Sequence, residues 1–521
     1  MGQMTAQTDS GLVSDTARVG VPSTSQIEDA GTFRVITKEF NIEISLLGGR
    51  IISAGLENYK QDQDTEVDKE LVFHVEGSAY PLGISNGEVS DLWTEYRIVS
   101  PANLRRDGGA LKMSESTGDK VVVMRGNLSD GREVTKKLTF RPDGFIISAD
   151  FTLSQADASA SPLLVSWTKF VSEEDGAGLD PYKAAGFAWF DGQKAKRQTF
   201  PDIEQNVEDL GKVKWLTIGD KYFAAIFIAA QDLQPAKYTK LDRVYSGQLL
   251  GNSTRNEFDL FLGPKSYRLF NDIGYELQRN IDFGFFGIVS APLLSLLHLL
   301  FGVFKNYGLA IVALTIIVRM ALFPLNSASF KQMKAMQDLK PELDKLRETV
   351  KDKQQQQVAL MELYKKKGVN PLGGCLPMFL QMPIFIGLYA ALLLSVELRH
   401  AHFAGWITDL SGPEQLMIGG IGIPVMVILF VISMVVQQLT TPSTMDPTQK
   451  KVMMVMPVVM GFIFASMPAG LTLYWLTSNL ISIGQHKAMH HREGDPKAAL
   501  KITLAVSAGV FVLACFVVLI G

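Results

Sequence analysis

Cysteine is nearly missing from this sequence: Cys375 and Cys515 are the only two, and both lie in apolar segments. The polar first half has none, so no disulfide can hold it together in any redox compartment. Phosphate-cradling loops are missing too. There is no G-x-x-x-x-G-K-S/T, and no G-x-G-x-x-G follows a strand, so nucleotide-driven work has no visible site. Of 7 histidines, only His74 falls in the first half. That excludes a two-histidine acid–base mechanism there and leaves a carboxylate pair open. A surplus of either charge is absent as well, since 50 Lys and Arg face 53 Asp and Glu. Overall charge therefore names no partner. Residues 1–30 hold no apolar stretch of the kind a signal peptide needs.

The rest of the composition is uneven. Residues 1–30 are small, polar and rich in Pro, Gly and Ser, and are expected to be a disordered lead or linker. From 31 to 278, short alternating runs such as KVVVMRGNL, REVTKKLTF and GFIISADFTL are separated by SDG and RPDG turns. That pattern predicts an all-β sandwich. Large sandwiches often bind sugars, but fold alone does not make an epimerase and catalysis is not expected here. Residues 282–305 are apolar but carry a small-or-polar stripe of Ala291, Ser295, His298, Gly302 and Lys305. This predicts an interfacial amphipathic helix, with a true membrane span as the alternative.

The next run, LAIVALTIIVRMALFPLN (309–326), places Arg319 inside an apolar helix with Thr315 one turn earlier on the same face. Such a cation costs roughly 2.5–3.5 kcal/mol on insertion scales, so it faces a partner or a watered cavity, or else snorkels to the headgroups. Residues 327–370 form a charged segment with apolar residues at three- and four-residue spacing, read as a helical hairpin. It holds ten Lys and Arg against six Asp and Glu, which places it in the cytoplasm. Apolar spans are expected at about 308–326, 375–397, 416–438, 452–467, 470–486 and 502–520, the last reached through a basic cytoplasmic linker at 488–501.

Polar stripes recur on these spans. Ser433 and Gln437 share a face, and Tyr474, Ser478, Ser482 and Gln485 form a second stripe with Asn479 beside it. Such stripes meet around one another or around water. Sixteen of the 20 methionines follow residue 300; they offer an adaptable surface or ordinary lipid-facing filler. His486, His490 and His491 include an i,i+4 pair, but Lys487 and Arg492 favour an anionic-lipid or ribosome-facing tail over a metal site. No cofactor, metal or catalytic residue is expected. A small-anion transporter with Arg319 as counter-ion is the alternative function, although no inverted repeat is visible.

The stretch KKKGVNPLGGCLPMFLQMPIFIGLYAALLLSVELR closely resembles the YidC/Oxa/Alb family of membrane protein insertases, in its bacterial YidC branch with a large periplasmic domain. The likeness continues through IVALTIIVRMALFPL, FAGWITDLS, DPTQKKVMMVMPVV and MPAGLTLYWLTSNLISIGQ, and more weakly through the β-domain. The resemblance implies a five-helix core (307–487) with a hydrophilic groove open to cytoplasm and lipid and closed to the outside. It implies insertion of newly made membrane proteins into the phospholipid bilayer, alone or with the Sec translocon; the charge of the cytoplasmic hairpin and basic tail adds the ribosome as an expected partner. The groove positions map to Arg319, Thr315 and Gln381. A substrate-contacting tyrosine maps to Trp475, beside Tyr474, where stacking survives and the phenol hydroxyl is lost.

Two departures from that family follow. Residues 502–520 would add a span running from inside to outside, able to pack at an edge of the bundle. An upstream apolar helix that exports the β-domain is not seen in residues 1–30. A periplasmic β-domain with such a helix upstream is the expectation; its rival is a spanning 282–305 with the β-domain in the cytoplasm.

Overall fold

The computed structural model describes residues 21–520 apart from 64, 73–77, 88, 103, 105–106, 155–160, 172–184, 205, 351, 371–375, 442–446 and 492–495. His74 lies outside the described residues. The chain divides between Asp282 and Phe283 into a β unit and a helical unit.

The β unit is a sandwich, as the alternation requires. In Ile146–Leu153 every second side chain is buried, because successive side chains of a strand point to opposite faces. This strand sits centrally in a nine-stranded sheet, between Glu133–Phe140 and Arg255–Pro264. A six-stranded sheet running from Val207–Val213 to Val89–Ser90 covers it. The two approach closely at Gly247, where a Cβ would sit 3.3 Å from Leu216 and 3.4 Å from Phe187. A five-stranded sheet completes the unit. The lead is not wholly irregular: Ser23 caps a short helix, α1 (Thr24–Ala30), through a capping box. A second helix, α2 (Tyr267–Ile273), follows the last strand.

One part of this unit's interior is ionic. Asp91 is fully buried and lies 2.6 Å from the Lys136 ammonium and 3.1 Å from the Arg50 guanidinium. The Tyr96 hydroxyl donates to the same carboxylate at 3.0 Å. Lys136 Nζ also donates to the carbonyls of Gly48, Gly49 and Leu82 at 2.7, 3.1 and 2.8 Å. Burial pulls Lys136 down to about 8 while Asp91 opposes the shift.

The helical unit opens with α3 (Gly287–Phe304), which buries Ser290, Leu294, Leu297 and Leu300. That face differs from the stripe expected from sequence: Ser295 is exposed, while His298 approaches Glu397 at 3.7 Å. With its preceding turn the segment is 21 residues long and apolar enough to cross a membrane. Asn306 caps α4 (Tyr307–Ala321) by accepting from Leu309 N. The run expected as one span to residue 326 instead breaks at Leu322, and α5 (Phe323–Asp338) leaves at 59°. Pro324 explains the break, since it sits in the first turn of α5, where its missing N–H does no harm.

Helices α6 (Lys340–Thr349) and α7 (Lys353–Lys367) form the charged hairpin, tied by Lys367 to Glu342 at 2.6 Å. Next come α8 (Leu376–Leu394), α9 (Val425–Thr440), α10 (Pro447–Phe464), α11 (Ala469–His491) and α12 (Pro496–Ile520). The apolar run 416–438 is not one helix. Its first part is a β-hairpin, Leu416–Ile418 paired with Ile421–Ile423, and the helix starts at Val425. Helix α12 packs on α11, where a Cβ on Gly484 would meet Val506 at 2.8 Å. Phe511 also meets Phe304, with ring centroids 5.1 Å apart.

The loop between α8 and the hairpin lies across one end of the bundle. Asn306 Nδ2 donates to Phe403 O at 2.9 Å, Gly470 N to Leu410 O at 2.9 Å and Ala469 N to Gly412 O at 2.7 Å. Gly308 has no room for a side chain, because its Cβ would fall 1.9 Å from Phe403 Cδ2. Gly308→Ala must push Phe403 off α4, at ~1–3 kcal/mol for overpacking. Thermal unfolding in detergent should show a Tm several degrees lower. An unchanged Tm would mean the ring swings aside freely.

Candidate functional site

Helix α11 is the spine of the site, and its sequence alternates two kinds of side chain around the helix. Tyr474, Ser478 and Ser482 recur at four-residue spacing and fall on one stripe, with Asn479 beside it. Tyr474, Ser478 and Asn479 each reach a different helix, whereas the Ser482 hydroxyl donates back to Ser478 O at 2.9 Å. Gln381 Nε2 on α8 donates to the Tyr474 hydroxyl at 2.7 Å. Arg319 on α4 donates through Nε to Ser478 Oγ at 2.7 Å, and its Nη2 reaches the same oxygen. Asn479 Nδ2 donates to Ser433 Oγ on α9 at 3.0 Å. One helix thus links three others through side-chain hydrogen bonds.

Arg319 lies in the last turn of α4. The partial negative charge of the helix C-terminus favours a cation there. Twelve residues separate it from the helix start, roughly 18 Å from the capping loop at ~1.5 Å per residue. Among the described residues no carboxylate pairs with it, and Ser478 is a neutral partner. The cation is therefore positioned without being neutralised.

Not every expected residue joins the set. The hydroxyl of Thr315 donates back to Ile311 O at 2.7 Å within its own helix. The backbone carbonyl of Gln437 accepts from the Thr440 and Thr441 hydroxyls at 3.0 and 2.7 Å, at the end of its own helix. Trp475 turns away from the polar stripe and packs on Phe385, Phe430 and Phe464 at 5.1, 5.9 and 5.8 Å. Its indole N–H is buried without a partner among the described residues. His486 Nδ1 lies 3.1 Å from Thr441 Oγ1 and its ring packs on Phe330. The side chains of His490 and His491 lie outside the described residues. No metal-binding cluster occurs among the described residues.

Sequence reasoning missed the residues that hold the outer end. The Trp406 indole donates to Glu414, whose other oxygen accepts from Met426 N at 3.1 Å at the start of α9. Trp406 stood in view within FAGWITDLS. Its carboxylate partner gave no periodic signal, because it caps a helix from a loop.

A family model described as 60Kd inner membrane protein matches residues 299–495. One described as YidC periplasmic domain matches residues 32–296. The membrane protein insertase YidC of Pelobacter propionicus is 33% identical over 495 residues, covering 91% of this chain and 89% of that protein. That of Haemophilus influenzae is 32% identical over 508 residues, covering 93% and 92%. A solved structure described as an active YidC insertase with its first transmembrane domain resolved is 20% identical, with a TM-score of 0.38, and covers 86% of this chain and 90% of that one.

Proposed function

This chain belongs to the YidC family of membrane protein insertases, and from that premise we propose how its own residues carry out insertion. It is an inner-membrane protein with a periplasmic β-domain, and its clients are membrane proteins entering lipid. The reading as a small-anion transporter finds no support among its relatives.

A client's short hydrophilic tail enters between α4, α8, α9 and α11 from the side of the charged hairpin. The observation that carries this reading is Arg319, a cation held by Ser478 with no carboxylate among the described residues to neutralise it. It attracts acidic tail residues and lowers the cost of their desolvation. Tyr474 and Gln381, already bonded to each other, line the same polar stripe. Ser433 and Gln437 extend the stripe along α9, and Thr315 stands one turn before Arg319 on α4. The client's apolar segment slides along the core helices. Transfer of that segment to lipid supplies the driving force, at ~0.8 kcal/mol per buried CH₂. The basic hairpin 327–370 suits capture of the ribosome or of the nascent chain, and cooperation with the Sec translocon belongs to the same reading.

A photo-crosslinking residue at Gln437 should capture a ribosome-tethered membrane protein in inner-membrane vesicles. The same residue at Leu513, exposed on α12, should capture far less. Equal capture from both positions, or capture from Leu513 alone, would overturn the proposed path.

A further inference from the structure

The β-hairpin that replaces the expected first turns of α9 has no place in the site above. Its register pairs Leu416 with Ile423, Met417 with Gly422 and Ile418 with Ile421. Directly opposed residues share a face, and faces alternate along a strand. Leu416, Ile418, Ile421 and Ile423 therefore form one wholly apolar face. Ile418 is 55% exposed, Ile421 69% and Met417, on the other face, 63%. The tip is Gly419-Gly420 with φ of +59° and +84°, the two-residue turn that matches strand twist and excludes ordinary side chains. A soluble loop would carry charge at such a tip. Here no charged residue occurs between Glu414 and Asp446.

The helix that follows is short. Val425–Thr440 has 16 residues, which reach ~24 Å, whereas a hydrocarbon core is ~30 Å thick. Its outward face of Ile428, Leu429, Ile432 and Val436 is exposed and apolar, as contact with lipid requires. The hairpin continues that band beyond the helix start, and three residue pairs add roughly 10 Å of apolar length. Its depth is bounded from both sides. A two-stranded ribbon has unpaired outer edges, which the hydrocarbon interior does not tolerate. Its base is pinned where Glu414 receives both Trp406 Nε1 and Met426 N, and tryptophan prefers the headgroup level.

We propose that the Leu416–Ile423 hairpin is an interfacial anchor: its apolar face inserts at the headgroup–acyl boundary of the periplasmic leaflet and completes the short hydrophobic span of α9. The partner is the lipid surface itself. The proposal rests on α9 crossing the membrane.

The test uses the full chain with Cys375→Ser and Cys515→Ser, reconstituted in phosphatidylethanolamine–phosphatidylglycerol vesicles. An environment-sensitive NBD probe is attached at Ile418→Cys or Ile421→Cys, both on the apolar face. Leu429→Cys on the lipid-facing side of α9 and Gln354→Cys on the charged hairpin are the deep and aqueous references. Both hairpin probes should lose most of their emission to lipids with a nitroxide near the headgroup, less to a nitroxide deep in the chain, and little to iodide. The Leu429→Cys probe should respond most to the deep nitroxide. Hairpin probes quenched by iodide as readily as Gln354→Cys would overturn the anchor while a deep Leu429→Cys response leaves the span intact. Hairpin emission shielded from both iodide and nitroxide would overturn it in favour of a protein partner. Loss of the deep response at Leu429→Cys removes the span and the anchor together.

Discussion

Arg319→Ala is expected to slow insertion of clients with acidic tails by about tenfold or more, equivalent to ~1.4 kcal/mol. The estimate is conservative: a pair of unit charges 4 Å apart interacts by ~4 kcal/mol at an effective dielectric of 20, and part of that is lost to desolvation. Arg319→Lys should retain most of the rate, because a point charge still faces the tail. It loses the second donor, since Nε and Nη2 both reach Ser478 in the arginine. The comparison is made in reconstituted vesicles with two clients that differ only in tail carboxylates against amides. The amide-tailed client should be nearly indifferent to the substitution. Equal slowing of both clients would mean that Arg319 serves the packing of α4 on α11, and the electrostatic account would fail.

The largest effect on stability is expected from Asp91→Ala in the β-domain. The substitution removes the carboxylate that Lys136, Arg50 and Tyr96 share and leaves two buried cations facing each other. Breaking one partner out of a buried ion pair costs ~3–5 kcal/mol, a large fraction of the ~5–15 kcal/mol that holds a domain together. Lys136→Met should cost less, because Asp91 keeps Arg50 as its partner. Urea titrations read by pulse proteolysis of the full chain measure both variants. A cost below ~1 kcal/mol for Asp91→Ala would show that the site takes up water on losing its anion. The pH dependence has a definite sign. Lys136 is drawn to about 8 in the folded domain from 10.5, so the unfolded chain binds more protons between those values. This group adds stability as pH rises through that window. The slope over that range should be shallower in Lys136→Met than in the natural chain.

The sandwich was legible because a buried strand face repeats every two residues, and the run Ile146–Leu153 keeps that alternation without a break. The polar stripe of α11 was legible for the same reason at helical spacing. Pairing was not. Nothing in the sequence says that Ser478 meets Arg319, 159 positions away, or that Asn479 and not Ser482 reaches Ser433. The run 416–438 misled because hydropathy does not separate a short buried helix from a strand. The signal against a helix was local: Gly419-Gly420 and Pro424 punctuate it within six residues. In helix α3 the buried face runs through Leu294, Leu297 and Leu300, while Ser295 of the small-or-polar stripe is exposed.

The loop that lies across the bundle end is held mostly by main chain. Leu410 and Gly412 offer their carbonyls to Gly470 and Ala469, and Phe403 offers its own to Asn306. Such bonds do not depend on which side chain each loop residue bears. Its outward positions can therefore drift freely, whereas Gly308, Asn306 and Glu414, whose side chains or lack of one make the fit, cannot. Variation in this closure should gather on its rim and spare its three points of attachment.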